Sequence, residues 1–71
     1  MQFGRAVRKR RAELGISQEE LAARAGLHRT YVADVERGTR NISLENIVKL
    51  ATALNISPSA LFELVSAEGD E

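Results

Sequence analysis

With no cysteine in its 71 residues, the chain can build neither a disulfide framework nor a thiolate metal site, and nothing in it points to secretion. Its single histidine, His28, stands without metal ligands at suitable spacing, so no metal or other cofactor is expected. No apolar run approaches the roughly 20 residues that a membrane helix needs. The basic start, MQFGRAVRKRR, is followed by no apolar signal-peptide core. There is no glycine-rich phosphate loop and no carboxylate pair in a recognisable setting, which argues against an enzyme. These absences leave a bacterial-type cytoplasmic protein with no membrane partner and no small-molecule ligand.

What remains is apolar enough, at 44%, to fold, and short enough to make one domain near the lower limit for a self-sufficient core. The net charge of zero hides an asymmetry. Residues 1–43 carry nine Lys/Arg against five Asp/Glu, whereas residues 44–71 carry only Lys49 against five acids. A polyanion is drawn to the first part and repelled by the second.

Gln18 to Arg37, QEELAARAGLHRTYVADVER, reads as two short helices joined by a tight turn. Leu21, Ala22 and Ala25 make one helical stripe, and Val32 with Val35 another. Gly26 between them can take the positive φ that ends a helix, after which the chain restarts almost at once. Ala22 is small where two steeply crossing helices must come close. The result is a helix-turn-helix. Gln18, Ala22, Gly26, Val32 and Val35 stand at offsets that resemble the Cro/phage-repressor, or xenobiotic-response-element, family. Within it, the string LHRTYVADVERGTRNISLENI is similar to the small controller proteins of restriction–modification systems. The resemblance runs from Phe3 to about Val65. It implies an all-α, compact five-helix repressor-like domain that binds DNA as a dimer. It also implies that Gln18 contacts the DNA backbone and that an arginine–glutamate pair ties helix 1 to the end of helix 3.

Helix 1 is expected from about Gln2 to Leu14, with Phe3, Val7 and Leu14 inward and Gly15 as the stop. Its apolar stripe passes through Arg11, and an arginine on a buried side needs a carboxylate. Glu36 is the candidate; a direct DNA contact is the alternative. Arg5, Arg8, Lys9 and Arg10 lie on other faces, solvated, with one or two in reach of phosphate. An Ile-Ser phrase, with Leu or Ile four residues after the serine, recurs at Ile16-Ser17, Ile42-Ser43 and Ile56-Ser57. Each serine can cap a helix start and each flanking apolar pair can staple it, with Glu20 completing a capping box. These starts fall at about Gln18, Leu44 and Pro58, the last with proline at the first helical position. In helix 4, to about Leu54, the stripe of Leu44, Ile47, Val48, Leu50, Ala51 and Leu54 is expected to be mostly core. In helix 5, to about Ser66, Leu61 and Val65 can serve the core while Phe62 and Leu64 point elsewhere. An exposed Phe on so small a domain suggests an interface. Ile56, Pro58, Phe62, Leu64 and Val65 make the candidate homodimer surface, a symmetric dimer being the commonest assembly. The DNA-binding and dimerisation domain spans 1–66, and 67–71 is a frayed acidic tail.

At about 100° per residue, a core direction between Val32 and Val35 puts Thr30, Ala33, Asp34 and Arg37 on the opposite side of helix 3. Thr30 and Ala33 are small enough to let the helix sink into a major groove. Arg29 has the forked donors that suit guanine or phosphate. Two readings of Tyr31 stand, a contact to phosphate or sugar and a partly buried ring. Asp34 reads a cytosine amino group, deters wrong sites, or is simply solvated. His28 is a cap or a peripheral phosphate contact, and Arg40 with Asn41 can clamp the next phosphate. The expected function is a homodimeric, sequence-specific regulator of transcription on a pseudo-palindromic site in double-stranded DNA. The alternative is an antitoxin-type module that binds a toxin and represses its own operon.

Overall fold

The computed structural model describes residues 2–69, which form five α-helices in the order α1 (Gln2–Leu14), α2 (Gln18–Ala25), α3 (Arg29–Arg37), α4 (Leu44–Ala53) and α5 (Pro58–Gly69). Three of them begin at the serines of the repeated phrase. The hydroxyl oxygens of Ser17, Ser43 and Ser57 accept from the amides of Glu20, Asn46 and Ala60 at 3.0, 3.2 and 3.1 Å. Each bond satisfies one of the amides that a helix start leaves unpaired. Only half of the expected capping box forms, because the Glu20 carboxylate accepts instead from Arg24 at 2.7 Å. α5 continues to Gly69, past the expected end at Ser66, and Asp70 and Glu71 of the acidic tail lie outside the described residues.

The ends of α1 to α4 share one closure. Past α2, the amide of Leu27 donates to the Ala22 carbonyl at 2.9 Å and that of Gly26 to Ala23 at 3.3 Å. This pair of bonds needs a left-handed residue between them, and Gly26 sits there at φ 71° without the clash a Cβ would bring. Asn55 fills the same role after α4 at φ 60°, the side chain that tolerates this region best after glycine.

All five helices contribute to one core, through Val7, Leu21, Val32, Leu50 and Leu61, each fully buried. α1 lies across the end of α3, and the crossing is close at Gly4. A Cβ there would stand 2.3 Å from the Val35 carbonyl oxygen and 2.6 Å from that of Glu36. Arg10, expected in solvent or on phosphate, donates to the Leu54 carbonyl at 3.0 Å and so closes the end of α4.

Of the expectations for the apolar stripes, that for α4 holds for Ile47, Leu50, Ala51 and Leu54, and that for Leu64 is corrected. Leu44 is 70% and Val48 43% exposed, so the stripe of α4 is not all core. The buried residues Leu50, Ala51, Ala53 and Leu54 rotate its inner face towards Leu50, leaving Leu44 and Val48 roughly 95° and 135° away from its centre. Leu64, expected to point away, packs partly against the core with Val65, since both lie within roughly 60° of Leu61 around α5. Phe62 stays 46% exposed at the edge of that face, its ring 6.3 Å from the ring of Phe3. Among the described residues no single helix is long and apolar enough to cross a membrane.

Candidate nucleic-acid interface

α3 is held by Val32 and Val35, both buried, with Ala22 of α2 buried at the crossing. This leaves His28, Arg29, Thr30 and Arg37 exposed, and Ala33 and Asp34 half-exposed. Arg40 and Asn41, in the turn that follows, are also exposed. The outward side derived from the two valines is thus the side that the fold presents. His28 occupies the residue before α3 in extended geometry but makes no side-chain cap bond, so α3 starts uncapped, unlike the three serine-closed helices.

The inner side of α3 carries one charge. Glu36 is buried, with only 2% of its side chain exposed, and accepts from Arg11 twice, Nε to Oε2 at 2.8 Å and NH2 to Oε1 at 3.1 Å. The third guanidinium donor reaches the Ile16 carbonyl at 3.0 Å. The hydrogen bond to Glu36, more than the charge attraction, holds Arg11 further above its ordinary pKa against the opposite pull of burial. Arg8 adds a weaker contact at 3.9 Å. It lies one helical turn before Arg11, a spacing that could have flagged it in the sequence.

Gln18 opens α2, as expected, but its side chain is half-buried and donates to Glu36 Oε1 at 3.0 Å. Its amide is therefore oriented from behind by the same carboxylate that holds Arg11. One Nε2 hydrogen and the carbonyl oxygen remain for another partner.

The outer side is organised around Asp34. Its carboxylate accepts from Arg37 and, at 3.4 Å, from Arg40. The Arg40 guanidinium lies 4.8 Å from the centre of the Tyr31 ring. The Tyr31 hydroxyl accepts from Asn46 at 3.0 Å, which ties α3 to α4, and the ring is partly buried. Asn46 was not among the expected site residues, and no spacing in the sequence connects it to Tyr31. Asn41, Arg29 and Thr30 stand outside this network, while Arg37, Arg40, Tyr31 and Asp34 are brought together.

A helix presented on two buried valines, with arginines and a threonine outward and small residues between them, defines a DNA-binding transcriptional regulator of the helix-turn-helix class. Residues 7–61 match the helix-turn-helix family model. Control protein C.BamHI of Bacillus amyloliquefaciens is 48% identical over 65 residues, covering 90% of this chain and 80% of that protein. The crystal structure of the restriction–modification controller protein C.AhdI from Aeromonas hydrophila superposes with a TM-score of 0.84 at 57% identity, covering 86% of this chain and 92% of that one. The controller protein C.Esp1396I, solved as a tetramer with its natural 35-base-pair operator, gives 0.88 at 31% identity over 94% of this chain and 88% of that one. The chain belongs to the Cro/C1-type helix-turn-helix family, among the restriction–modification control proteins.

Proposed function

We propose that the protein acts in the bacterial cytoplasm, on the nucleoid, as a homodimeric controller of transcription that binds a pseudo-palindromic operator. The exposed N-terminal half of α3, with Arg29 and Thr30 clear of every intramolecular bond in the outer network, is the observation that carries this reading. In a dimer the two α3 helices enter successive major grooves about 34 Å apart. Arg29 bonds a guanine edge, and Thr30 sets its hydroxyl or methyl against the neighbouring base. Gln18, held by Glu36, takes a backbone phosphate at the start of α2. His28, Ala33, Arg37, Arg40 and Asn41 complete the contact surface. The protein partner is a second copy meeting at Phe62 and its neighbours Ile56, Pro58, Leu64 and Val65. Residues 1–66 supply both functions, and no catalytic step is involved.

In vitro selection from a randomised duplex pool tests this directly. Recovered sequences should share two inverted half-sites one helical turn apart. Arg29→Ala should then weaken binding to the selected site by about 1–3 kcal/mol while hardly changing binding to random duplex. Recovery of sequences without a shared motif would overturn the proposal. Equal losses on both duplexes would make Arg29 a phosphate contact.

A further inference from the structure

The outer network presents a contradiction for a DNA-facing surface. Arg37 and Arg40 are the two exposed cations at the C-terminal end of α3 and its following turn, yet both donate to one carboxylate. Asp34 has 19% of its side chain exposed, against 61% for Arg37 and 47% for Arg40, so the acid sits beneath the bases that cover it. Its backbone is also fixed, because its carbonyl accepts from the Thr39 amide at 3.0 Å and from the Thr39 hydroxyl at 3.2 Å. Arg40 is further restrained by the Tyr31 ring, itself anchored to Asn46. A guanidinium engaged this way does not displace a counterion from DNA until it leaves the carboxylate. When it leaves, an anion is exposed to phosphates that repel it.

Resting on the DNA-binding reading above, we infer that Asp34 is a specificity-determining residue that keeps Arg37 and Arg40 from phosphate on any duplex offering no base donor in their place. On random DNA the binding energy comes from phosphates, so the whole penalty is felt. On the operator, the half-sunk carboxylate of Asp34 meets an exocyclic amino group in the major groove, the pairing that suits an acidic side chain and cytosine. That bond replaces the arginines, which then reach the backbone. The device lowers non-specific affinity while leaving the cognate complex intact.

The test compares the wild-type protein with Asp34→Asn on a random duplex and on the site recovered by selection, across a salt series. On random duplex the variant should bind more tightly at low salt. Its log–log salt slope should be steeper by up to about 1.8, for two added phosphate contacts, which is about a 12-fold greater loss between 50 and 200 mM salt. On the selected site it should gain nothing or lose affinity. Asp34→Glu should restore the shallower slope on random duplex. In an Arg37→Gln/Arg40→Gln background, Asp34→Asn should give a clearly smaller gain on random duplex and no steeper slope, because only the repulsion by the bare acid remains to be relieved. Equal gains on both duplexes, an unchanged slope, or the same gain with and without the two arginines would each overturn the inference while leaving sequence-specific binding in place. A wild-type protein that prefers no duplex would overturn both.

Discussion

Replacing Gly4 with alanine sets two general effects against each other. Helix propensity favours alanine by up to about 1 kcal/mol, so on local grounds the variant should be more stable. The tertiary structure predicts the opposite. The new methyl would stand 2.3 Å from the Val35 carbonyl oxygen, 2.6 Å from the Glu36 oxygen and 2.9 Å from the Glu36 carbonyl carbon. All three are backbone atoms at the end of α3, so no side chain can rotate away. To reach ordinary contact distance, α1 must retreat by roughly an ångström from α3. Forcing an extra methyl into a packed crossing costs about 1–3 kcal/mol, and an obstacle made of backbone puts this case at about 3. Subtracting the propensity gain leaves a net loss of about 2 kcal/mol. For a chain of this size, total stability is about 4–11 kcal/mol, so the loss is substantial. It should appear as a fall in Tm of about 8–16 °C by far-ultraviolet circular dichroism. A variant as stable as the wild type, or more so, would show that α1 does not approach α3 at Gly4. The seat of the recognition helix would then have to be sought elsewhere.

Glu36→Ala should destabilise by about 3 kcal/mol in urea titration, because Arg11 is left partly buried without its acid. Arg11→Met with Glu36→Leu should cost far less than the sum of the single changes; simple additivity would refute the pairing. Ser17→Ala removes the acceptor for the Glu20 amide and should cost about 1 kcal/mol, a Tm drop of about 4–8 °C, with an unchanged melt counting against the cap. Phe62→Ala should weaken self-association in sedimentation velocity at a concentration where the wild type is dimeric. An identical profile would remove Phe62 from the proposed interface.

The sequence was most legible where chemistry is local. A serine before an apolar run, a proline after the third such serine, and glycine after a stripe mark helix ends through bonds spanning three to five residues, and those bonds form. The Arg11–Glu36 pair was also readable, since an arginine in an apolar stripe has few ways to be satisfied. Less was legible where the outcome depends on how helices rotate against one another. Six apolar residues on α4 span a wider arc than the core covers, so Leu44 and Val48 fall outside it. Nothing local distinguishes Gly4 from a neutral helical residue, because its significance is the path of α3, more than thirty residues later. The residues of the outer cluster are legible singly, but the network is not. Arg40 reaches Asp34 and Tyr31 only because the turn after Gly38 folds back along α3.

α3 carries two carboxylates two residues apart, and their settings contrast. At about 100° per residue, Asp34 and Glu36 point in nearly opposite directions. Glu36 is enclosed, with bonds from Arg11 and Gln18 that solvent hardly reaches. Separating a buried pair of this kind costs several kcal/mol, so a passing phosphate cannot compete for Arg11. Asp34 is covered only by exposed arginines, and ion pairs of that sort contribute about 0–1 kcal/mol each. The ion pairs themselves are therefore a small barrier, and the penalty inferred for a random encounter lies in the repulsion between the uncovered Asp34 carboxylate and the DNA backbone. The inner acid fixes where α3 stands, together with the close crossing at Gly4. The outer acid, held only by exposed arginines, is the one of the two that a change of partner can uncover.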